Sequence, residues 1–269
     1  MKGGRRNGAS SGRGRDGHTW NNRGHEATRA SLVMPCELSA RPRNRLLSRL
    51  PDEDFERLAP HLRTLALTHK LVLQRPNEPI TEVVFPEGGV VSVTTMMLDG
   101  SSVEVATIGA EGLVGINAFL GIGIANSESM VQVPGATAVA LPVAVFRSEV
   151  ERIGALRERV QRYSQGLMGL MMQSAGCLAL HPVEARCSRW LLMAHDRSGR
   201  DAFQLSQEFL AIMLGSSRQT VSVVASSLQK DGIISYAYGR VNVLDRERLE
   251  QSACECYRTV ERLFAELEL

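Results

Sequence analysis

No stretch of this chain is apolar for long enough to cross a bilayer. The run around Val139–Val145 is interrupted by Pro142, far short of the roughly 18–20 residues a spanning helix needs. The first residues carry charge with no apolar block behind it, so no secretory leader is expected. Cysteine is scarce: Cys36, Cys177, Cys187, Cys254 and Cys256 are odd in number and widely scattered. That argues against a disulfide framework and for the reduced thiols of a cytoplasmic protein. Catalytic motifs are missing too. There is no Gly-x-Ser-x-Gly, phosphate loop or His-Glu-x-x-His, and the histidines are dispersed, so neither catalytic residues nor an enzyme activity are expected. An iron–sulfur cluster would need about four suitably spaced cysteines, and only Cys36 lies near the N-terminus. His61 and His69 read as surface residues and not as haem ligands. Cys254 and Cys256, two apart on one helix, would point to different faces. They read as buried or semi-exposed thiols, with a redox switch as the alternative, and no metal and no cofactor is expected.

Net charge is small as well, at +2, but it is unevenly placed. Residues 1–30 hold Lys2, Arg5, Arg6, Arg13, Arg15, Arg23 and Arg29 against Asp16 and Glu26, a balance of +5. The rest, with 24 basic and 27 acidic residues, stands at −3. Any affinity for nucleic acid must therefore come from a local patch. Residues 1–33 are rich in Gly, Arg, Ser and Asn and too poor in aliphatic side chains to build a core. They read as a disordered basic extension or an over-long gene call, with a basic arm touching phosphates as the alternative and Met34 a plausible true start.

What remains falls into three patterns. From Leu38 to Leu62 apolar spacing predicts one or two short helices, broken at Pro51, with Asp52 available to cap the second. Thr64–Leu73, Ile80–Phe85, Val90–Leu98, Val103–Ile108, Ser129–Val133 and Ala136–Leu141 then read as strands. Gly88-Gly89 and a two-residue Asp99-Gly100 hairpin serve as turns, and the whole suggests a sandwich or β-roll. After Val143 the period becomes helical. Leu156, Val160, Tyr163, Leu167, Leu170, Ser174, Cys177 and His181 step by fours and threes, with Met168, Met171 and Met172 alongside. Such a seam predicts a dimerisation helix over 153–181, although the same spacing also fits a helix packed on its own domain. Pro182 ends it.

Leu205–Gly232 carries most information. Ser206 can cap a helix whose Phe209, Leu210, Met213 and Leu214 face inward, and Ala211 is small where a second helix must approach. Gly215 supplies a left-handed turn, and Ser216 with Gln219 can form a capping box opening a second helix to Lys230. That is the layout of a helix-turn-helix. The outward residues Ser217, Arg218, Gln219, Thr220, Ser222 and Ser226 include no acid, and Arg and Gln can read guanine and adenine in the major groove. Ile233–Tyr238 and Arg240–Leu244 read as a wing around Gly239, with Tyr236, Tyr238 and Arg240 available to phosphates.

SSRQTVSVVASSLQKDGIIS followed by YAYGRVNVLD resembles the recognition helix and wing of the Crp/Fnr family, and the resemblance extends over about 36–250. It implies an α+β protein: an N-terminal β-roll sensor domain like those that bind cyclic nucleotides, a long dimerisation helix and a C-terminal winged helix-turn-helix. The expected domains are the extension 1–33, the sensor 34–152, the dimer helix 153–181 and the DNA-binding domain 182–269. The implied activity is sequence-specific transcription regulation by a homodimer on an inverted repeat of double-stranded DNA, with RNA polymerase a further partner the family allows. Ser216, Ser217, Arg218, Gln219, Thr220, Ser222 and Arg240 would contact DNA. Leu156, Val160, Tyr163, Leu167, Leu170 and Ser174 would join the subunits. Val223 stands where the family has a further base-reading Arg. In family members that bind cyclic nucleotides, a Gly-Glu pair holds the ribose and an Arg-Ser pair the phosphate. Here Gly115 is followed by Ile116, and Ser127, Glu128 and Ser129 include no Arg. Cyclic AMP is therefore not the expected effector. The competing reading is a cyclic-nucleotide-binding module that regulates a protein partner.

Overall fold

The computed structural model describes residues 41–135 and 137–269. The basic extension 1–33, Met34, Cys36, the first residues of the Leu38–Leu62 stretch and Ala136 lie outside them. Helix α1 (Arg45–Ser48) is capped by the buried Asn44, whose Oδ1 accepts from Leu46 N at 3.0 Å. The Asn44 amide donates to Pro86 O and Gly112 O, pinning the helix to the strands that follow. Helix α2 (Asp52–Leu58) has Pro51 at its N-cap and not Asp52, which lies inside the first turn with Glu53 and Asp54. Negative charge there suits the helix dipole.

Two antiparallel sheets follow. Strand β1 (Arg63–Ala66) and β2 (Val72–Gln74) replace the single expected strand over Thr64–Leu73. Lys70 takes φ +64° in a turn closed by Leu71 N to Thr68 O, which moves the chain from one sheet to the other. Then come β3 (Glu82–Pro86), β4 (Val90–Met96), β5 (Ser102–Ile108), β6 (Glu128–Val133) and β7 (Thr137–Pro142). The sheet orders are β1-β7-β3 and β2-β6-β4-β5. Val84, Val91, Ile108, Val114, Val131, Ala138 and Ala140 fill the space inside, which makes the β-roll. The β4–β5 loop is longer than expected. Met97 N bonds Ser101 O, leaving Leu98-Asp99-Gly100 as a three-residue turn with Gly100 at φ +84°.

Helix α3 (Val143–Glu151) stops at Ile153, φ +59°, before α4 (Ala155–Leu180), the long helix. Pro182 caps α5 (Val183–Ser198), which leads through β8 (Ala202–Gln204) to α6 (Gln207–Met213) and α7 (Arg218–Lys230). Strands β9 (Ile234–Ala237) and β10 (Arg240–Val243) form the wing in the order β8-β10-β9. Helices α8 (Arg246–Ser252) and α9 (Cys256–Glu266) close the chain. Among the described residues no helix is long and apolar enough to cross a membrane.

The long helix corrects the expected dimer seam. Leu156, Val160, Tyr163, Leu167, Leu170 and Ser174 are buried within the single chain, none more than 7% exposed. They pack on their own domain, where the Tyr163 hydroxyl donates to Leu113 O at 3.1 Å. A second side of α4, at Gly166 and Gly169, is covered by Leu263, Phe264, Leu267 and Leu269 from the chain's last residues. The remaining side stays open. Gln161, Gln165, Met168, Met172, Ala175 and Ala179 are exposed and also step by fours and threes.

Candidate nucleic-acid interface

The helix-turn-helix forms as its spacing predicts, with a shift at one cap. Ser206 Oγ accepts from Phe209 N at 3.2 Å and opens α6. Gly215, at φ +54°, turns the chain. Ser216 N is used in that turn, bonded to Ala211 O at 3.0 Å, so Ser217 and not Ser216 becomes the N-cap of α7. Ser217 Oγ accepts from Thr220 N at 3.1 Å and meets Thr220 Oγ1 at 2.9 Å, taking the place of the expected Ser216–Gln219 box. Val221, Val224, Ala225 and Leu228 are buried as expected. Arg218, Gln219, Thr220 and Ser226 are exposed, Ser216 and Ser222 half-buried. Val223 stands 70% exposed on the same helix. The N-terminal end of α7 is thus an open, acid-free surface whose first turn offers unpaired backbone N–H groups and one guanidinium.

The wing turns through Tyr238 (φ +52°) and Gly239 (φ +71°), the pair of positive φ values of a type I′ hairpin. That places Tyr238 and Arg240 fully outward. Tyr236 departs from expectation. Its hydroxyl donates to Leu205 O at 2.7 Å, and burial pushes the phenol up to about 12, so it is a strut under the wing and not a phosphate ligand.

In the β-roll, Gly115 (φ +104°) and Ile116 begin a 3-10 turn, and Ile116 packs against the core instead of offering a polar group. Ser129 is buried in β6, while Ser127 and Glu128 are half-buried. The fold adds what local sequence could not show. Pairing of β2 with β6 carries Arg75 to 3.8 Å from the Glu128 carboxylate, and Arg147 Nε donates to Ala118 O at 3.3 Å. Two arginines therefore reach this region from distant positions, the first already engaged by Glu128.

The β-roll meets α5 through two largely buried polar contacts and α6 through one at the surface. Arg197 of α5 pairs with Glu111 at 2.7 Å. Burial alone would raise the Glu111 carboxyl, but the Arg197 charge and hydrogen bond outweigh it and hold it low. Trp190 Nε1 donates to Glu104 Oε1 at 2.8 Å, and Lys70 Nζ lies 5.2 Å above the Phe209 ring of α6.

These features match known proteins. Residues 185–252 match the Crp-like helix-turn-helix domain. The transcriptional regulator SdrP of Thermus thermophilus is 30% identical over 104 residues, 36% of this chain. The match spans only about half, 51%, of that relative's length. A second transcriptional regulator from Thermus thermophilus, of the CRP family, superposes with TM-score 0.59 at 25% identity, covering 70% of this chain and 96% of the other. FixK2 from Bradyrhizobium japonicum shares the fold, with TM-score 0.59 at 16% identity over 72% of this chain and 98% of its own. A β-roll joined by one long helix to a winged helix-turn-helix defines the class of protein. The chain carries a Crp-like helix-turn-helix domain and shares its overall fold with a CRP-family transcriptional regulator.

Proposed function

We propose that the protein is a sequence-specific DNA-binding transcription regulator acting as a homodimer on an inverted repeat. The observation that carries this is the exposed, acid-free N-terminal end of α7, with Arg218 and Gln219 in its first turn. Arg218 and Gln219 read base edges, Ser217 and Thr220 order the entering turn, and Val223 offers its methyls to a thymine. Arg240 and Tyr238 hold the wing on the phosphate backbone. Two copies meet along the open side of α4, through Met168 and Met172, which sets two recognition helices about one helical turn apart on one DNA face.

Binding-site selection tests the assignment. Arg218→Ala is expected to cost about 1–3 kcal/mol on a specific half-site and relax preference at one base pair. Arg240→Ala is expected to weaken all sequences alike and flatten the salt dependence. Identical sequence logos for wild type and Arg218→Ala would remove Arg218 from base readout.

The β-roll is the effector domain in this reading, and its ligand is not cyclic AMP. Ile116 offers no hydrogen bond to a ribose, and Glu128 both repels a cyclic phosphate and occupies Arg75. Isothermal titration with cyclic AMP is expected to show no binding at micromolar concentrations. A low-micromolar Kd would favour the competing reading of a cyclic-nucleotide-binding module.

A further inference from the structure

We propose that Cys177, His181, Cys254 and Cys256 form a tetrahedral site for a single zinc ion, which clamps the α8–α9 turn onto the end of the long helix. Their ligand atoms, three Sγ and one imidazole nitrogen, all lie within 4.8 Å of one another. Cys177 Sγ is 3.5 Å from Cys254 Sγ, and Cys256 Sγ is 3.4 Å from His181 Nδ1. Zinc holds thiolate sulfur at about 2.3 Å and imidazole nitrogen at about 2.0–2.1 Å, so tetrahedral ligand atoms stand roughly 3.5–3.8 Å apart. Two of the contacts already stand at about that spacing, and all four ligand atoms fall within 4.8 Å.

Local geometry explains the convergence. Cys177 lies in the last turn of α4, and His181 is the C-cap that follows, its N–H donating to Cys177 O at 3.1 Å. Cys254 lies in the turn after α8 rather than on a helix with Cys256, so the objection that their side chains point apart no longer applies. Cys177, Cys254 and Cys256 are all buried, and His181 partly so. The expectation of no metal placed Cys254 and Cys256 on one helix, whereas the structure gathers both with Cys177 and His181.

The surroundings have the form of an outer shell. His181 turns Nδ1 to the sulfurs and Nε2 to Glu255 Oε1, 3.1 Å away, the carboxylate–histidine arrangement that fixes a metal-bound imidazole. Gln173 Nε2 donates to Cys256 Sγ at 3.0 Å. Three thiolates and a divalent cation leave one negative charge. Arg189 lines the same cavity as Cys177, and its buried Nε and Nη1 have no hydrogen-bond partner. A guanidinium in that position offsets the charge.

The donor set selects among occupants. Three soft thiolates and an imidazole in a closed, four-coordinate set suit structural zinc, whereas magnesium and calcium require oxygen ligands. An iron–sulfur cluster spreads its protein ligands over several irons and so needs a wider set. A Cys177–Cys254 disulfide would leave Cys256, His181 and Glu255 without a role. Binding releases the thiol protons to solvent and moves no electrons. Cys254 and Cys256 follow the matched helix-turn-helix region, which ends at residue 252, so the clamp is an addition to that module. It fixes the DNA-binding domain against α4 at the His181-Pro182 junction.

The test uses the full chain, purified under reducing conditions without chelator. Elemental analysis is expected to give about one zinc ion per chain that survives dialysis. Cobalt in its place should show the intense visible bands of a tetrahedral site and thiolate charge transfer. Cys256→Ser should lose the metal. His181→Gln, milder should the first variant fail to fold, should keep the fold and change the cobalt spectrum. Cys187→Ser, at a buried thiol outside the cluster, should change neither. Reduced wild type that takes up neither zinc nor cobalt overturns the proposal. So does a His181→Gln variant with an unaltered cobalt spectrum, or a Cys177–Cys254 disulfide in the zinc-supplemented chain.

Discussion

The double variant Met168→Glu/Met172→Glu is expected to be a folded monomer whose operator affinity is weaker by roughly 10²–10⁴-fold, the affinity change being that of lost effective concentration. The two methionines are 54% and 63% exposed, in the centre of the open row from Gln161 to Ala179. In an isolated chain, glutamate there costs little, because it is a good helix former and meets water. Across a two-fold axis each glutamate would face a like charge on a surface about to be desolvated. Losing the partner turns a two-site attachment into a one-site attachment. Light scattering and a gel shift on the same preparation check it. A dimer of unchanged mass would show that the open row is not the subunit contact. Leu167→Glu provides the contrast. Its side chain is 7% exposed and covered from within the chain, so it should lose several kcal/mol of stability before any effect on assembly is read.

The helix-turn-helix was legible because its determinants are local. Caps at Ser206, a positive-φ glycine at 215 and the apolar spacing 221-224-225-228 each act within a few residues. The one slip, Ser216 for Ser217, arises because two adjacent serines can both cap, and the turn had already used the first one's amide. The long helix was harder. It carries two rows with fours-and-threes spacing, and spacing alone cannot say which is covered by the chain itself. The more apolar row took the permanent burial, leaving the methionine and alanine row outside. Nothing local reports that Arg75 meets Glu128, or that Cys177 meets Cys254 from 77 positions away. Those contacts exist only once β2 pairs with β6 and the end of the chain folds back on α4.

The junction between β-roll and α5 yields the second large effect: Glu104→Gln should stabilise the protein at pH 8 and do so progressively less toward pH 5. Glu104 Oε1 accepts from Trp190, but Oε2 is buried with no hydrogen-bond partner. The adjoining cavity, about 10 Å³, has room for no more than one water. Burial pushes the carboxyl up to about 7 from 4.5, while Ser92, Trp190, Arg189 and Arg197 pull it partly back. Below about pH 4.5 folded and unfolded chains are both protonated here, and this carboxyl leaves their balance unchanged. Between 4.5 and 7 the unfolded chain releases its proton and the folded chain keeps it, so stability falls as pH rises. Above 7 the whole penalty, about 3 kcal/mol, is in place. Glutamine retains an oxygen for Trp190 and carries no charge to desolvate. Denaturant unfolding of wild type and variant at pH 5, 6, 7 and 8 measures the gap. A gap constant across that range would mean that the carboxyl does not titrate on folding. A gap that opens between pH 5 and 7 would make the seam between β-roll and α5 weaker when Glu104 is charged, at the contact through which the effector domain meets the DNA-binding domain.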